Sequence, residues 1–147
     1  MSSIHIPPGE GQTYPMIDGD HVAKAAVHGT NGAFEVFEVI STAAPTAPPH
    51  VSTWTGVLLL LEGQVTALVG DTKYVEPGGV VMVPAGTPSS FEVVGESARF
   101  VALTSGDRAG RFFADFSSSV PSDHPLEESM EAIFSVTQRH GVRLAGA

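Results

Sequence analysis

The sequence predicts a mainly β protein: an antiparallel barrel or jelly roll with helices at its C-terminal end. Three observations carry that expectation. Short β-type runs follow one another through the middle of the chain, punctuated by Gly and Pro at regular short spacing. The hydrophobic period changes after about residue 105, where helical spacing takes over. The chain has 147 residues, 42% of them apolar, which suits one globular domain with a real core. We therefore expect a single domain over 1–147, with a barrel over about 20–104 and a helical segment over about 107–141.

The elements follow in order. Val22–His28 and Ala33–Ile40 are β-type runs separated by Gly29-Thr30-Asn31-Gly32, a hairpin signal. Ser41–Pro49 is a Pro/Ala-rich connection that a central strand would not tolerate. Val57–Leu61 is continuously apolar and reads as a strand buried on both faces. Glu62-Gly63 then reads as a tight turn, followed by strands over Gln64–Val69, Lys73–Glu76, Val80–Val83, Ser89–Val94 and Arg99–Thr104. Asp107–Phe116 is expected as a short helix and Pro125–His140 as a longer one. Asp123 or His124 suits the cap of the second helix, Pro125 its first turn, Glu127 and Glu128 its positive end, and Gly141 its stop. Leu126, Met130, Ile133, Phe134 and Thr137 form one stripe, expected to pack on the barrel wall or on a second subunit.

Composition bounds the function. The formal net charge is −9 and no Lys/Arg cluster exists, so a nucleic-acid backbone has no receiving surface. The acidity favours solubility. There is no Cys, which removes disulfide and thiolate chemistry and suits a reducing cytoplasm. The first residues lack a basic cluster and an apolar core, so no signal peptide is read there. No apolar run is long enough for a membrane span. Abundant Ala, Gly, Pro and Val with almost no Lys point to a high-GC bacterial source.

Two stretches carry the functional signal. The first is Pro48-Pro49-His50-Val51-Ser52-Thr53-Trp54-Thr55-Gly56, running on to Leu61-Glu62-Gly63; the second is Pro77-Gly78-Gly79 through Pro84-Ala85-Gly86-Thr87-Pro88-Ser89-Ser90-Phe91. In this order and spacing they resemble the two motifs of the cupin superfamily, in particular the small single-domain cupins of the quercetin-dioxygenase-like type. The resemblance spans most of the chain. It implies a cupin barrel, a homodimer, and a place where the family holds a divalent metal with three His and one Glu. Here His50 stands at one ligand position, while Ser52, Gly56 and Ser89 stand at the other three. The resemblance thus implies a degenerate site, with no metal and no other cofactor.

Strand alternation then maps the pocket. With His50 pointing inward, Ser52, Trp54, Gly56, Leu58 and Leu60 share its face if the strand is regular. Ser89, Phe91 and Val93 share another inward face, with Ser90 and Glu92 pointing away. Greasy walls and a few polar groups suit a small-molecule site. His50, Ser52 and Ser89 are the candidate catalytic residues; Thr53, Trp54, Gly56, Leu58, Leu60, Phe91 and Val93 are the candidate binding residues. His50 reads equally well as a structural histidine, Ser52 and Ser89 as donors rather than nucleophiles, and Trp54 as core. Glu38 lies on the parity of Phe34, Val36 and Ile40, and Glu35 on that of Phe37 and Val39. Periodicity does not choose between them, and either is expected as an exposed edge carboxylate. His5, His21, His28, His124 and His140 show no ligand spacing and are expected at the surface.

Three readings of function follow. The first is a metal-independent enzyme acting on a small apolar, polyketide-like or aromatic metabolite by cyclisation, isomerisation or dehydration. His50 would serve as general acid/base and Ser52, Thr53 or Ser89 would hold a carbonyl or enolate oxygen. The second is a non-catalytic module that binds such a molecule. The third is a metal-dependent dioxygenase with atypical ligands, disfavoured because a lone imidazole holds a transition metal poorly.

Overall fold

A computed structural model describes residues 3–29, 32–43 and 49–144. Nine strands and two helices are assigned among them: β1 Gln12–Met16, β2 Gly19–Gly29, β3 Gly32–Thr42, β4 His50–Val51, β5 Gly56–Val69, β6 Asp71–Val75, β7 Val80–Val83, β8 Ser89–Ser105, α1 Arg108–Ser119, α2 Leu126–Arg139 and β9 Arg143–Leu144. Every strand pairing is antiparallel. The expected mainly β barrel with C-terminal helices is what the chain forms.

Two long strands make the barrel curl. β5 and β8 pair along almost their whole length, from Gly56↔Thr104 to Val69↔Ser89. The register slips at Leu60/Glu62 and again at Glu62/Gln64, so both strands bend there. On one side of the bend they join β3, β2, β1 and β7 in a first wall. On the other side they join β4, β9 and β6 in a second wall. The expected turn at Glu62-Gly63 is thus a bend inside one strand, and Ser89–Val94 and Arg99–Thr104 are halves of one strand. Gly63 makes the bend possible. Its φ is +85°, and a Cβ there would lie 2.5 Å from the Ser97 carbonyl oxygen, a conformation and an approach open to glycine.

The hairpin of β2 and β3 closes at Gly29↔Gly32; its tip, Thr30 and Asn31, lies outside the described residues, as does most of the Pro/Ala-rich connection, including Pro48. Sequence reading missed β1 and β9, which are short and lack β-type runs. Val57–Leu61 is not buried on both faces. Leu60 is 3% exposed and Leu59 36%, so the outer face of this strand meets solvent.

Both faces of the first wall are informative. Its concave face carries Phe37 and Val39 of β3, Phe100 and Ala102 of β8, and Leu58 and Leu60 of β5, set side by side by register. Helix α1 lies over part of this face, with Ala109 buried against Phe37 and Val39 and with Phe113 packed on them. On the outer face Glu38 is 3% exposed, against the expectation of an edge carboxylate. The N-terminal segment covers it: Glu38 Oε1 accepts the Gly9 N–H at 2.7 Å, Oε2 accepts from Arg99 at 2.9 Å, and Lys24 Nζ stands 3.5 Å away. Lys24 also donates to the Pro7 and Glu10 carbonyls. Burial alone would raise the Glu38 carboxyl; the Gly9, Arg99 and Lys24 contacts outweigh it and hold the group below its ordinary value.

The helices form a hairpin of their own. The α2 stripe packs on α1 in a cluster that also reaches the barrel: Ile133 is buried with Phe112, Phe116 and Val136, and Leu126 and Met130 pack against it together with Met16 of β1 and Ile17. Of the stripe, Phe134 stays exposed at 47%. Asp115 of α1 receives Arg139 Nε at 3.1 Å and Nη2 at 3.0 Å and sits 2.8 Å from His140 Nε2, so His140 is tied down rather than free at the surface. The cap of α2 is Pro125 with no side-chain hydrogen bond, not Asp123 or His124. Val142 and Leu144 then return the chain to the barrel, where β9 pairs with β4.

Candidate functional site

The first motif does not continue as a strand. β4 is two residues long, and Thr53 and Trp54 form a bend before β5 begins at Gly56. The bend is held by backbone and hydroxyl hydrogen bonds. The Ser52 carbonyl accepts the Gly86 N–H at 3.0 Å, the Thr55 hydroxyl accepts the Ala85 N–H at 3.1 Å, and Thr55 and Ser105 exchange two further bonds at 2.9 Å. The Pro84–Thr87 turn of the second motif is thereby fastened to the first. This is the mechanical reason the two motifs stand together.

The bend redirects the predicted wall. Trp54 leaves the strand and packs between the barrel and α1, its ring 5.7 Å from Phe112 and 6.4 Å from Phe113. Thr53 is exposed and lies beside Gly141 at the end of α2. Alternation from His50 through Trp54 to Gly56 therefore fails, because it presumes an unbroken strand.

The two motifs do meet at their key residues. His50 and Ser89 are directly opposite across β4 and β8, with Leu144 on the other side of His50 and Val69 on the other side of Ser89. Directly opposed residues of an antiparallel pair point to one face, with Cβ atoms roughly 4.5–5.5 Å apart. Phe91 and Val93, two and four residues beyond Ser89, pack into the barrel core, so this shared face is the interior. Ser89 is 4% exposed.

Leu58, Leu60, Phe91 and Val93 converge as expected, but on a filled core. They meet Val65, Ala67, Val75, Val81, Val83 and Ala98. The cavity left among Leu58, Leu60, Val65, Val75, Val81, Phe91 and Phe100 is about 20 Å³, about the room of one water in an apolar setting. The aliphatic side chains of β6 and β7 take the volume that alternation within two strands left open.

At Gly56 nothing packs over the Cα. It stands opposite Val83 and Thr104, and a Cβ built there would meet nothing within 4 Å. Thr104 is 3% exposed, and its hydroxyl has no hydrogen-bond partner among the described residues. Across from Thr104 stands Glu35, whose Oε1 accepts the Gly110 N–H of the first turn of α1 at 3.1 Å. Glu35 thus faces the concave side with Phe37 and Val39. His21, expected at the surface, is 8% exposed, with its ring 4.5 Å from Phe113 and its Nδ1 unpartnered among the described residues. Sequence reading assigned none of Glu35, Thr104 and His21 to the interior. The parity of Glu35 with Phe37 was the one available signal.

The donor set does not fit a transition metal. Of the four positions that the resemblance assigns to ligands, His50 alone carries a usual metal-binding side chain, and among the described residues no three His, Cys, Asp or Glu side chains converge. Stable transition-metal sites take three or four such ligands.

Comparison with solved structures agrees with the architecture. The polyketide cyclase RemF of Streptomyces resistomycificus superposes with a TM-score of 0.58 at 18% identity, over 72% of this chain and 81% of that one. An RmlC-like cupin from Shewanella frigidimarina gives 0.58 at 15%, over 74% and 96%. The Cnp3 cupin domain of Schizosaccharomyces pombe gives 0.50 at 19%, over 63% and 67%. These similarities establish the cupin fold. No known family profile matches the chain, and no curated protein sequence matches it. No helix of the described residues is long and apolar enough to cross a membrane.

Proposed function

We propose that this cupin-fold protein is a metal-independent enzyme that moves protons on a small apolar metabolite, with His50 as general acid/base and Ser89 as a hydrogen-bond partner to a substrate oxygen. One observation carries the reading: His50 and Ser89 stand directly opposite each other on the interior face. An imidazole both gives and takes a proton, which suits general acid/base work. Cyclisation, isomerisation and dehydration of a polyketide-like or aromatic compound are the reactions these groups serve. The likeness to a polyketide cyclase agrees with that class. Ser52, held through its carbonyl at the bend, is a further candidate oxygen partner.

The test is a turnover assay with polyketide-like aromatic ketones, preceded by organic extraction of the purified protein to identify any retained ligand. His50→Ala is expected to lose rate by roughly 10²–10⁴-fold with binding kept. Full activity in that variant would reject the role. The second reading is a binder without turnover; saturable binding with no product would select it. A dioxygenase with atypical ligands finds no support in the donor set.

The same reading takes the protein to be a cytoplasmic homodimer, but with another surface than the α2 stripe. Phe34, Leu59, Val80, Met82 and Leu103 are all at least 36% exposed. Register places Leu59 beside Val80, and Val57 between Met82 and Leu103, on the outer face of the first wall. An exposed apolar face of this kind is what a subunit interface uses. In a chain of net charge −9, this apolar face is where a second copy approaches with least repulsion. Light scattering is expected to give a dimer, and Met82→Lys with Leu103→Lys a monomer. A monomer for the unaltered protein at micromolar concentration would contradict the assembly.

A further inference from the structure

Resting on the homodimer reading, we infer that the second copy joins at the free edge of β7. The two β7 strands pair antiparallel there, across a two-fold axis beside Val81, and the first walls run into one sheet. Among the described residues β1, β6, β7 and β9 each pair with a single strand, so each presents a free edge. Three of them carry features that block strand addition. β1 contains Pro15, β6 contains Asp71 and Lys73, and β9 is two residues long with Arg143. β7 has no such guard. It reads Val80-Val81-Met82-Val83 and lies in a run from Pro77 to Phe91 without a charged residue. Val80 is 62% exposed and Met82 59%, at the margin of the apolar outer face.

Two hydrogen bonds fix which β7 groups are free. The Leu60 N–H donates to the Gly79 carbonyl at 3.0 Å, and the Ser105 N–H donates to the Thr55 carbonyl at 2.9 Å. Hydrogen-bonded pairs alternate with non-bonded ones along an antiparallel ladder. Stepping from Leu60, the bonded pairs of β5 with β7 are therefore Leu58↔Val81 and Gly56↔Val83. Stepping from Thr55, those of β5 with β8 are Val57↔Leu103 and Leu59↔Val101. The two results agree, since each β5 residue then serves one neighbour. Val80 and Met82 are left with N–H and C=O groups turned away from β5, toward the free edge. A two-fold axis beside Val81 sets Val80 opposite Met82 of the second copy. Each such pair exchanges both of its bonds, so no N–H or C=O of these residues is left over. A two-fold contact needs a surface complementary to itself, and this edge is one. The pairing also brings the exposed Val80 and Met82 side chains into cross-strand contact on the outer face. In a chain of net charge −9, an uncharged edge is where two copies meet without opposing like charges.

Amide hydrogen exchange of the full chain, read residue by residue by NMR above and below the dissociation constant of the dimer, tests the edge. The Val80 and Met82 amides are expected to exchange at least about tenfold more slowly in the dimer, while Val81, bonded within the subunit, is protected in both states. Met82→Pro removes an N–H that β5 does not use, at an edge position where proline is tolerated. The variant should fold, with a dimer dissociation constant raised at least about tenfold. Met82→Leu keeps the N–H and an apolar side chain, and should dimerise as the unaltered protein does. A dimer whose Val80 and Met82 amides exchange as fast as in the monomer, or one that Met82→Pro leaves at full strength, would overturn the edge pairing and leave the dimer on the outer face alone. A monomer at micromolar concentration would overturn the homodimer reading and the edge pairing with it. If Met82→Pro fails to fold, the exchange rates of the unaltered chain decide by themselves.

Discussion

The two halves of the barrel interior satisfy their atoms differently. Around Leu60, Val65, Val75 and Val81 the inward side chains are all apolar, nearly every volume is filled, and about 20 Å³ remains. Around Gly56, Thr104 and Glu35 no atom lies within 4 Å of where a Gly56 Cβ would be, and a buried hydroxyl has no partner among the described residues. A half-built core would be a defect if folding were the only demand on it. Proteins depart from full satisfaction at functional sites and offset the loss elsewhere. Here the offset is the filled region, together with the aromatic layer that Phe112 and Phe113 of α1 form with Trp54. Gly56 stands directly opposite Val83 of the filled region, so the change from filled to unsatisfied comes within one strand pair.

The sharpest way to break this comparison is to cut into the filled half. Leu60→Ala removes a side chain that is 3% exposed with no space for neighbours to collapse into, and is expected to cost about 2–5 kcal/mol in chemical denaturation. A cost below about 1 kcal/mol would show that this half is not close-packed. Glu38→Ala comes next. It leaves Arg99 and Lys24 facing a buried position without their carboxylate and is expected to cost about 3 kcal/mol. That contribution sits on the outer face, so ligand binding should be unaltered. In the open half the sign changes. Gly56→Ala meets no atom and restricts the unfolded chain, so stability should hold or rise by up to about 1 kcal/mol. A loss comparable to Leu60→Ala would erase the distinction between the halves.

The smallest expected effect lies in the helical hairpin. Arg139, and after it His140, hold Asp115 well below the ordinary carboxylate range against the opposing effect of burial. A group depressed on folding gives its stabilisation in full above the unfolded value of about 3.9 and loses it as pH falls toward the folded value. Thermal unfolding of the unaltered protein should therefore lose stability between pH 5 and pH 2 more steeply than that of Asp115→Asn. Parallel pH curves for the two proteins would show that the clip contributes nothing.

Much of the barrel was legible because Gly and Pro punctuate it. Val80–Val83 is the run that became β7 without change, and the β2–β3 hairpin followed from its Gly-flanked tip. The long strands were not legible as single elements, since Glu62-Gly63 reads as a reversal and a bend has the same local chemistry. The motif residues His50 and Ser89 were brought together as the resemblance implied. Trp54 was misassigned to the wall because alternation does not survive a two-residue strand followed by a bend. Glu35 and Glu38 show the limit most plainly: each is explained by chain far away in sequence, α1 for one and the N-terminal segment for the other. A period-2 pattern holds no record of either.

Elemental analysis of the protein purified without chelator tests the central claim most directly. With His50 as the single imidazole among Ser52, Gly56 and Ser89, iron, manganese, nickel, copper and zinc should each fall far below one atom per chain. A near-equimolar transition metal that disappears in His50→Ala would contradict the account, because it would make the motif residues a metal centre after all.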